Sequence, residues 1–267
     1  RGVQPEDSRS FSYGLIFTPG FLSGLRISVD FVETHKTNEI VGYISPQTLV
    51  DLEANFPDRI VRGPNLSTDP TGWAGPIIGI DSGAINAAKS DIRSIDFQID
   101  YSHHTERFGD WHFYVLGSEQ TRLQRTLFPG ATSQNYIGLQ DGPRKWQGSF
   151  GMDWTQGPWT LAWDAQYTDA FSPCGSYFIG TPQCAVLTGY QGRNHLSAQL
   201  YNDVNVRYVF AQSDHAWGRM LDGAEINLGI QNVFNEEPPV YGIPNVNYTA
   251  TGDPRLRRFT LTLREHF

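Results

Sequence analysis

Nine segments of the chain alternate between apolar and polar side chains, and this pattern constrains the fold more than any other feature of the sequence. In the last segment Phe259, Leu261 and Leu263 share one parity, while Arg258 and Thr260 begin the other. A period of two is typical of a β-strand with one apolar and one polar face. The segments lie at about residues 10–18, 25–31, 95–101, 111–125, 145–154, 159–168, 199–210, 224–231 and 257–267. The chain is therefore predicted to be all-β.

The connections between these segments alternate in length: four are short, at about 4 to 11 residues, and four are longer, at about 16 to 55. In a soluble β-sandwich nothing requires the short and the long loops to lie at opposite ends of the strands. Outer-membrane barrels, in contrast, have short periplasmic turns and long extracellular loops. Trp111, Trp154 and Trp159 all adjoin short turns, where an interfacial aromatic belt would lie. A strand tilted by about 45° crosses a bilayer in about 9–11 residues. The pattern thus predicts a transmembrane antiparallel β-barrel.

Composition and motifs exclude several classes of function. The 267 residues carry a formal net charge of −8, which argues against a nucleic-acid partner. No run of 18 apolar residues is present, so no membrane-spanning helix is expected. Neither G-x-S-x-G nor H-E-x-x-H occurs. We therefore expect a protein that is not an enzyme, with no catalytic residues and no cofactor.

Three segments resemble the TonB-dependent outer-membrane transporter family. Residues 5–31, PEDSRSFSYGLIFTPGFLSGLRISVDF, resemble a segment from the middle of the family's barrel, which consists of a strand, a turn and the next strand. Its penultimate strand is similar to GAEINLGIQNVFNEEPP, with Asn232 and Phe234 in the N-x-F position. Its last strand is similar to RRFTLTLREHF, which ends on Phe267. Glu265 departs from the family pattern, since an apolar residue is usual there.

The resemblance implies a 22-stranded barrel with a plugged lumen, of which this chain supplies about the last nine strands. Residues 1–267 are then the C-terminal portion of the barrel, and the plug domain, the TonB box and the N-terminal strands are absent from this chain. Arg1 would begin in an extracellular loop. The implied location is the outer membrane of a Gram-negative bacterium. The implied partners are outer-membrane lipid, the missing strands and plug, TonB through that missing part, and the barrel-assembly machinery, which would read Phe267.

Two groups of residues have the composition of a metal or disulfide site. Cys174 and Cys184 fall in one predicted extracellular loop, where a structural disulfide is the main expectation and a metal site the alternative. His103 and His104 stand near Glu106 but lie at a predicted turn. We therefore expect no metal site.

The parity of each strand divides its residues between lipid and lumen. Lumen-facing residues toward the outer side are ligand-contact candidates, and Trp73 in an outer loop is a further one. Lumen-facing residues toward the periplasmic side either contact a plug or form the polar barrel wall. We expect Phe150, Leu161, Trp163, Ile226 and Leu228 in lipid, and Ser149, Asp164 and Asn227 in the lumen. The ligand-contact candidates on the strands are Gln166, Gln199, Tyr201, Gln231 and Arg258, and the plug-facing candidates are Asp203, Arg207, Glu225 and Arg264.

The expected function is active, TonB-dependent uptake of a scarce nutrient such as a siderophore, an oligosaccharide or a vitamin. Two alternatives remain open. A passive porin would need a complete barrel with an open polar channel, and the family-like ending of the chain argues against it. A barrel-type outer-membrane enzyme would need a catalytic motif, and the sequence supplies none of those named above.

Overall fold

A computed structural model describes residues 3–128, 130–176, 178–211, 222–241, 247–249 and 252–265. The strands are β1 (Asp7–Phe17), β2 (Leu25–Val41), β3 (Ile60–Arg62), β4 (Ile77–Ile80), β5 (Ile85–Thr105), β6 (Gly109–Thr126), β7 (Gln134–Asn135), β8 (Trp146–Gln156), β9 (Trp159–Thr168), β10 (Gln199–Val209), β11 (Glu225–Gln231), β12 (Val240–Tyr241), β13 (Asn247–Tyr248) and β14 (Arg258–Arg264). The helices are α1 (Pro46–Asp51) and α2 (Pro182–Gln191), with 3₁₀ turns at Glu53–Asn55 and Pro57–Arg59.

One large sheet contains the nine long strands in chain order. Its order is β1-β2-β5-β6-β8-β9-β10-β11-β14, with β7 pairing to β6 beside this path. The registered pairs from β6 to β14 are antiparallel. Two small sheets, β3-β4 and β12-β13, lie in the long connections. All nine predicted segments coincide with strands of this path, so the all-β antiparallel prediction is confirmed.

Two of the strands are longer than the sequence pattern predicted. The apolar alternation placed these two strands at about residues 25–31 and 95–101, but β2 continues to Val41 and β5 already begins at Ile85. Polar side chains support the strand pairing in this region: the Asn86 side chain donates to the carbonyl oxygen of Asn38 at 2.8 Å. Polar and charged side chains, among them Glu33, Lys36 and Lys89, interrupt the apolar alternation here, so the hydrophobic period is lost although the strands continue.

The described chain divides into two compact units. The first comprises Arg1–Phe11, Glu33–Ile92 and Leu123–Asn135, and the second comprises Ser12–Val32, Arg93–Arg122 and Tyr136–Phe267. Residues of β1, β2, β5 and β6 contribute to both units.

The first unit has a small apolar core beside α1. Leu49 is 1% exposed and packs in a cluster with Ile44, Phe56 and Ile60. The helix begins after its N-cap, Ser45, whose hydroxyl accepts a hydrogen bond from the Thr48 amide at 3.1 Å. Proline at the first helical position fits because its missing amide would be unpaired there anyway.

The second unit carries apolar rows that run across neighbouring strands. Cross-strand register aligns Met152, Trp163, Val204, Ile230 and Phe259 in one row. A second row consists of Trp154, Leu161, Val206, Leu228 and Leu261. Three of these ten side chains are exposed, Leu228 at 52%, Leu261 at 63% and Phe259 at 73%, and the other seven are half-buried. An apolar face of this extent is unusual for a surface in water.

The short connections lie where the sequence predicts them, between β1 and β2, β5 and β6, and β8 and β9. The indole nitrogens of Trp111 and Trp154 both donate to the Phe108 carbonyl oxygen, at 3.1 and 2.7 Å. Trp159 packs against Tyr208 with ring centroids 4.6 Å apart. The three tryptophans therefore lie at the short-turn ends of their strands. The fourth predicted short turn, from about 212 to 222, lies largely outside the described residues.

The long connection between β9 and β10 contains α2, which the sequence pattern missed. The helix starts with Pro182 after Thr181 and ends at Gly192, which has a φ of 70°. Proline at the start and a left-handed glycine just past the end are the ordinary helix boundary signals. These residues could have identified the helix.

No helix in the described part of the chain has both the length and the apolar character needed to cross a membrane.

Candidate ligand-contact face

Polar side chains form their own rows on the face of the sheet opposite to the apolar rows. Register aligns Ser149 with Gln166 and Gln166 with Tyr201, and in the next row of the same parity it aligns Thr168 with Gln199. Gln231 and Arg258 are partners on β11 and β14, on the polar parity of their strands. The expected lumen residues Ser149, Asp164 and Asn227 also belong to this face, and the five expected lipid residues belong to the other.

The middle of the polar face contains an open, acidic cavity. A cavity of about 590 Å³ is lined by carboxylates and amides, among them Asp30, Asp96 and Asp164. Asp30 sits close over Gly14: a Cβ added at Gly14 would lie 2.0 Å from its Oδ1. The Tyr114 hydroxyl donates to Asp164. Asp30 and Asp96 had the correct parity in the sequence, but nothing there marked them as lining a cavity.

A histidine lies between two carboxylates nearer the short-turn end. His112 Nε2 is 3.5 Å from Asp100 and its Nδ1 is 3.4 Å from Asp153. His104 contacts Asp110 through Nδ1. Within the described residues, no group of three or more His, Cys, Asp or Glu side chains is arranged to hold a metal ion. That no metal is bound stays a prediction.

The four plug-facing candidates contact one another or the adjacent backbone. Glu225 accepts from Arg264 at 2.8 Å and lies 3.3 Å from Arg207, and its side chain is only 12% exposed. Asp203 accepts from the Asn232 amide at 2.8 Å. Two guanidinium groups therefore share the Glu225 carboxylate. Contact with a plug stays a prediction.

The N-x-F asparagine has a structural role. Asn232 has a φ of 53°, in the left-handed region that asparagine tolerates better than most residues. Its Oδ1 accepts from the Glu236 amide and its Nδ2 donates to the Glu236 carbonyl, both at 2.8 Å. The chain leaving β11 is thereby fixed in a turn. Phe234 is 74% exposed.

The outer end of β10 lies beside a smaller cavity. Gln199 lines a cavity of about 310 Å³ together with Arg193, Glu236 and Glu237. The Tyr201 hydroxyl is buried without a hydrogen-bond partner in the described part of the chain. The structure thus places Gln199 and Tyr201 near the connection that follows β11.

The remaining ligand-contact candidates fall in two places. Arg258 pairs with Asp253 at 3.0 Å in the connection before β14. Trp73 belongs to the other unit, where it is 45% exposed and its carbonyl accepts from Asn65.

The connection carrying both cysteines is tightly fixed. Cys174 and Cys184 form a disulfide, as the sequence predicts. The guanidinium of Arg144 lies 3.4 Å from the centroid of the Phe171 ring and donates to the Leu139 carbonyl, and burial lowers the pKa of Arg144.

Two further hydrogen bonds tie this connection to its neighbours. Asp141 accepts from the amide and hydroxyl of Ser176. The Tyr241 hydroxyl donates to the Pro173 carbonyl, and burial, reinforced by the charge of Asp141, raises the pKa of Tyr241.

The expected assembly signal, Phe267, lies outside the described residues, so its predicted role stays untested.

Comparisons with known proteins agree with this geometry. A family described as "TonB dependent receptor-like, beta-barrel" matches residues 1–233. No curated protein matches the chain.

Several solved structures share the fold. The ferric enterobactin receptor of Pseudomonas aeruginosa, in a mutant form, is 11% identical with a TM-score of 0.57, over 97% of this chain and 31% of that one. The FrpB iron transporter of Neisseria meningitidis is 14% identical with a TM-score of 0.52, over 98% and 30%. The outer-membrane transporter YddB of Escherichia coli is 12% identical with a TM-score of 0.50, over 98% and 32%.

The chain thus spans about a third of the length of the solved structures it resembles. Since the family match covers most of its residues and the sheet has the fold of these barrels, the chain belongs to the TonB-dependent receptor family, within the β-barrel domain.

Proposed function

We propose that this chain forms part of the wall of a TonB-dependent transporter, which takes up a scarce nutrient across the outer membrane of a Gram-negative bacterium. The observation that carries the proposal is the division of the sheet into two chemically opposite faces. One face presents exposed apolar rows suited to lipid, and the other presents carboxylates, amides and paired charges suited to a wet lumen.

The rest of the barrel comes from strands and a plug that this chain does not supply. In the described sheet β1 pairs with β2 alone and β14 with β11 alone, so each end of the path has a free edge. Unpaired backbone groups cost several kcal/mol each in hydrocarbon, so each edge requires a strand partner. By the family's count of 22 strands, about 13 further strands complete the barrel. They belong to a preceding region or to a second polypeptide.

The ligand enters from the side of the long connections and passes along the polar face. Gln166, Gln199, Tyr201, Gln231 and Arg258 are the strand positions that contact it. Trp73 contributes from its outer loop. On the periplasmic side Asp203, Arg207, Glu225 and Arg264 contact the plug, which TonB acts upon.

The transported ligand is a siderophore, an oligosaccharide or a vitamin. Two of the similar structures are named for iron or an iron complex, but identities of 11–14% show a shared fold alone.

Uptake by intact cells tests the proposal against its alternatives. Cells with and without the intact protein are given ferric enterobactin, cobalamin and neutral oligosaccharides at limiting concentration, with and without a protonophore. Uptake that requires both the protein and the proton gradient supports active transport. Uptake that needs the protein but ignores the protonophore would show a passive porin, and chemical conversion outside the cell would show an enzyme.

A further inference from the structure

The acidic cavity in the middle of the polar face carries negative charge that the described part of the chain does not balance. Asp30, Asp96 and Asp164 line this cavity, and among the described residues that line it none is Lys, Arg or His. Asp164 accepts hydrogen bonds from two neutral donors, the Tyr114 hydroxyl and the Gln166 amide. The three carboxylates therefore leave a net charge of −3 in the cavity.

The carboxylates near β14 are arranged differently. Glu225 contacts both Arg207 and Arg264. Asp253 contacts Arg258 at 3.0 Å. In both cases the chain supplies the cations itself, whereas the described chain supplies none to the acidic cavity.

A buried hydroxyl group in the same cavity is also unpaired. Ser28 is only 6% exposed and lines the cavity, and within the described part of the chain its hydroxyl forms no hydrogen bond. The oxygen still has accessible surface, in contrast to the Gln199 amide, whose atoms are fully enclosed. Buried polar groups nearly always have a hydrogen-bond partner. A group outside this part of the chain, either water or a second surface, therefore pairs with Ser28.

The position of the cavity shows which second surface can reach it. Asp164 lies five residues along β9 from Trp159, at the short-turn end. At about 2.4 Å per residue this places Asp164 about 12 Å from the tryptophan level, near mid-height on the lumen side. In the proposed transporter a plug fills this part of the lumen. A plug that packs on the wall removes water from the carboxylates, which is costly unless cations pair with them.

A cationic ligand is the alternative occupant, since the charge of the cavity would suit it equally well. Small-molecule sites bury most of the surface of their ligand. The acidic cavity, in contrast, is open to the lumen along the polar face. Its form therefore suits a broad protein surface better than a small ligand.

We propose that the acidic cavity is a docking surface for the plug, and that the plug surface facing it is basic, with at least one Lys or Arg side chain that enters the cavity. The inference rests on the proposed transport function and names the chemistry of one plug contact. The cation pairs with Asp30 and Asp96, and Ser28 forms a further hydrogen bond with the plug. Gln166, which also lines the cavity, then contacts the ligand only after the plug has moved.

Photo-crosslinking of the intact protein in its own outer membrane identifies what faces the cavity. Leu116, an uncharged residue that lines it, is replaced by p-benzoylphenylalanine, and mass spectrometry locates the crosslinked residue. We expect a crosslink to the plug, at or next to a Lys or Arg. Assembled protein without a crosslink to the plug, or with one to a plug segment that lacks Lys and Arg, would overturn the proposal.

Removing one negative charge gives a second readout, whose sign distinguishes paired from unpaired carboxylates. If a plug cation pairs with Asp96, Asp96→Asn leaves that cation unpaired, and the equilibrium constant for unfolding of the intact protein should rise roughly 30-fold or more. If the carboxylates face only water and one another, the same change relieves their repulsion, and the protein should be equally stable or more stable. The matched control is Glu106→Gln, the same charge removal at an exposed carboxylate in the short turn between β5 and β6, and it should leave stability unchanged.

Stability of Asp96→Asn at or above that of the wild type would overturn the proposal even if a crosslink to the plug forms. If no crosslink to the plug forms while uptake remains sensitive to the protonophore, the cavity is open to the ligand, and the docking surface is rejected while the transport function stands. Uptake that is insensitive to the protonophore would instead reject the transport function itself.

Discussion

Replacing Val204 by arginine should destabilise the protein far more than the same change at the adjacent Asn205. The two residues are neighbours on β10 and point to opposite faces, Val204 into the row with Trp163 and Ile230, and Asn205 into the polar row with Ala162. If the apolar face contacts lipid, arginine at Val204 lies in hydrocarbon and arginine at Asn205 lies in a wet lumen.

The register gives the depth of this site. Val204 lies four residues along β10 from Tyr208, which packs on Trp159 at the short-turn end. A strand tilted by about 45° with a rise of about 3.4 Å per residue advances about 2.4 Å per residue through the membrane. Val204 is then about 10 Å from the tryptophan level, near the middle of an apolar band about 25 Å tall.

Arginine on the lipid face costs about 2–4 kcal/mol at the midplane and about 0–1 kcal/mol near the interface. Val204→Arg should therefore shift the folding equilibrium by about 30- to 900-fold, at 1.36 kcal/mol per factor of ten. Val206→Arg, on the same face but two residues nearer the short turn, should cost less, and Asn205→Arg least. Val204→Leu, which stays apolar, should be nearly neutral.

Urea unfolding of the intact protein in lipid vesicles, followed by tryptophan fluorescence, measures these differences, and the amount of assembled protein in cells provides a second readout. If Asn205→Arg proves as costly as Val204→Arg, or more so, the assignment of the two faces is wrong.

Three further predictions concern the ends and connections of the chain. Deleting Phe267 should reduce the amount of protein assembled in the outer membrane without changing ligand affinity, and unchanged levels would reject its role as an assembly signal. Replacing both Cys174 and Cys184 by serine removes a loop constraint of about 3 kcal/mol on the entropy model and should expose residues 170–198 to protease; equal cleavage of both forms would contradict this. Hydrogen bonds from Arg255, with the charge of Arg258, lower the pKa of Asp253 from 3.8 to about 2. The ionised Asp253 therefore stabilises the fold at pH values above its pKa in the unfolded chain, and this stabilisation is lost as the pH falls through its pKa in the folded chain. Pepsin cleavage around Asp253 should rise between about pH 4 and pH 2, and Asp253→Asn should remove that rise.

The strands could be predicted from the sequence because one physical cause acts along most of their length. Each strand separates an apolar face from a polar face, so the period of two runs through Trp159, Leu161 and Trp163 without interruption. That cause is missing at the outer ends of β2 and β5, and the prediction failed there. Parity also gives the face of a residue but not its depth in the membrane. Leu161 has the expected parity but lies two residues from the start of β9, nearer the short turn than the middle of the strand.

The candidate site was only partly predictable. Parity placed Gln199 and Tyr201 on the polar face, but their burial depends on the chain that follows β11. That chain is positioned by the left-handed turn at Asn232, whose amide donates to Asp203, 29 residues earlier in the chain. Arg193 and Glu236 therefore carried no local signal of their role beside the cavity.

The mass of the particle extracted intact from the outer membrane tests most directly whether this chain is one part of a larger transporter. Since the chain spans 31% of the ferric enterobactin receptor, we expect native mass spectrometry in detergent to give a particle of roughly three times the mass of this chain. A heated, denaturing gel of the same sample would then show either one long polypeptide or this chain with a larger partner. A single monodisperse species of 30.0 kDa, with no partner band, would contradict the account.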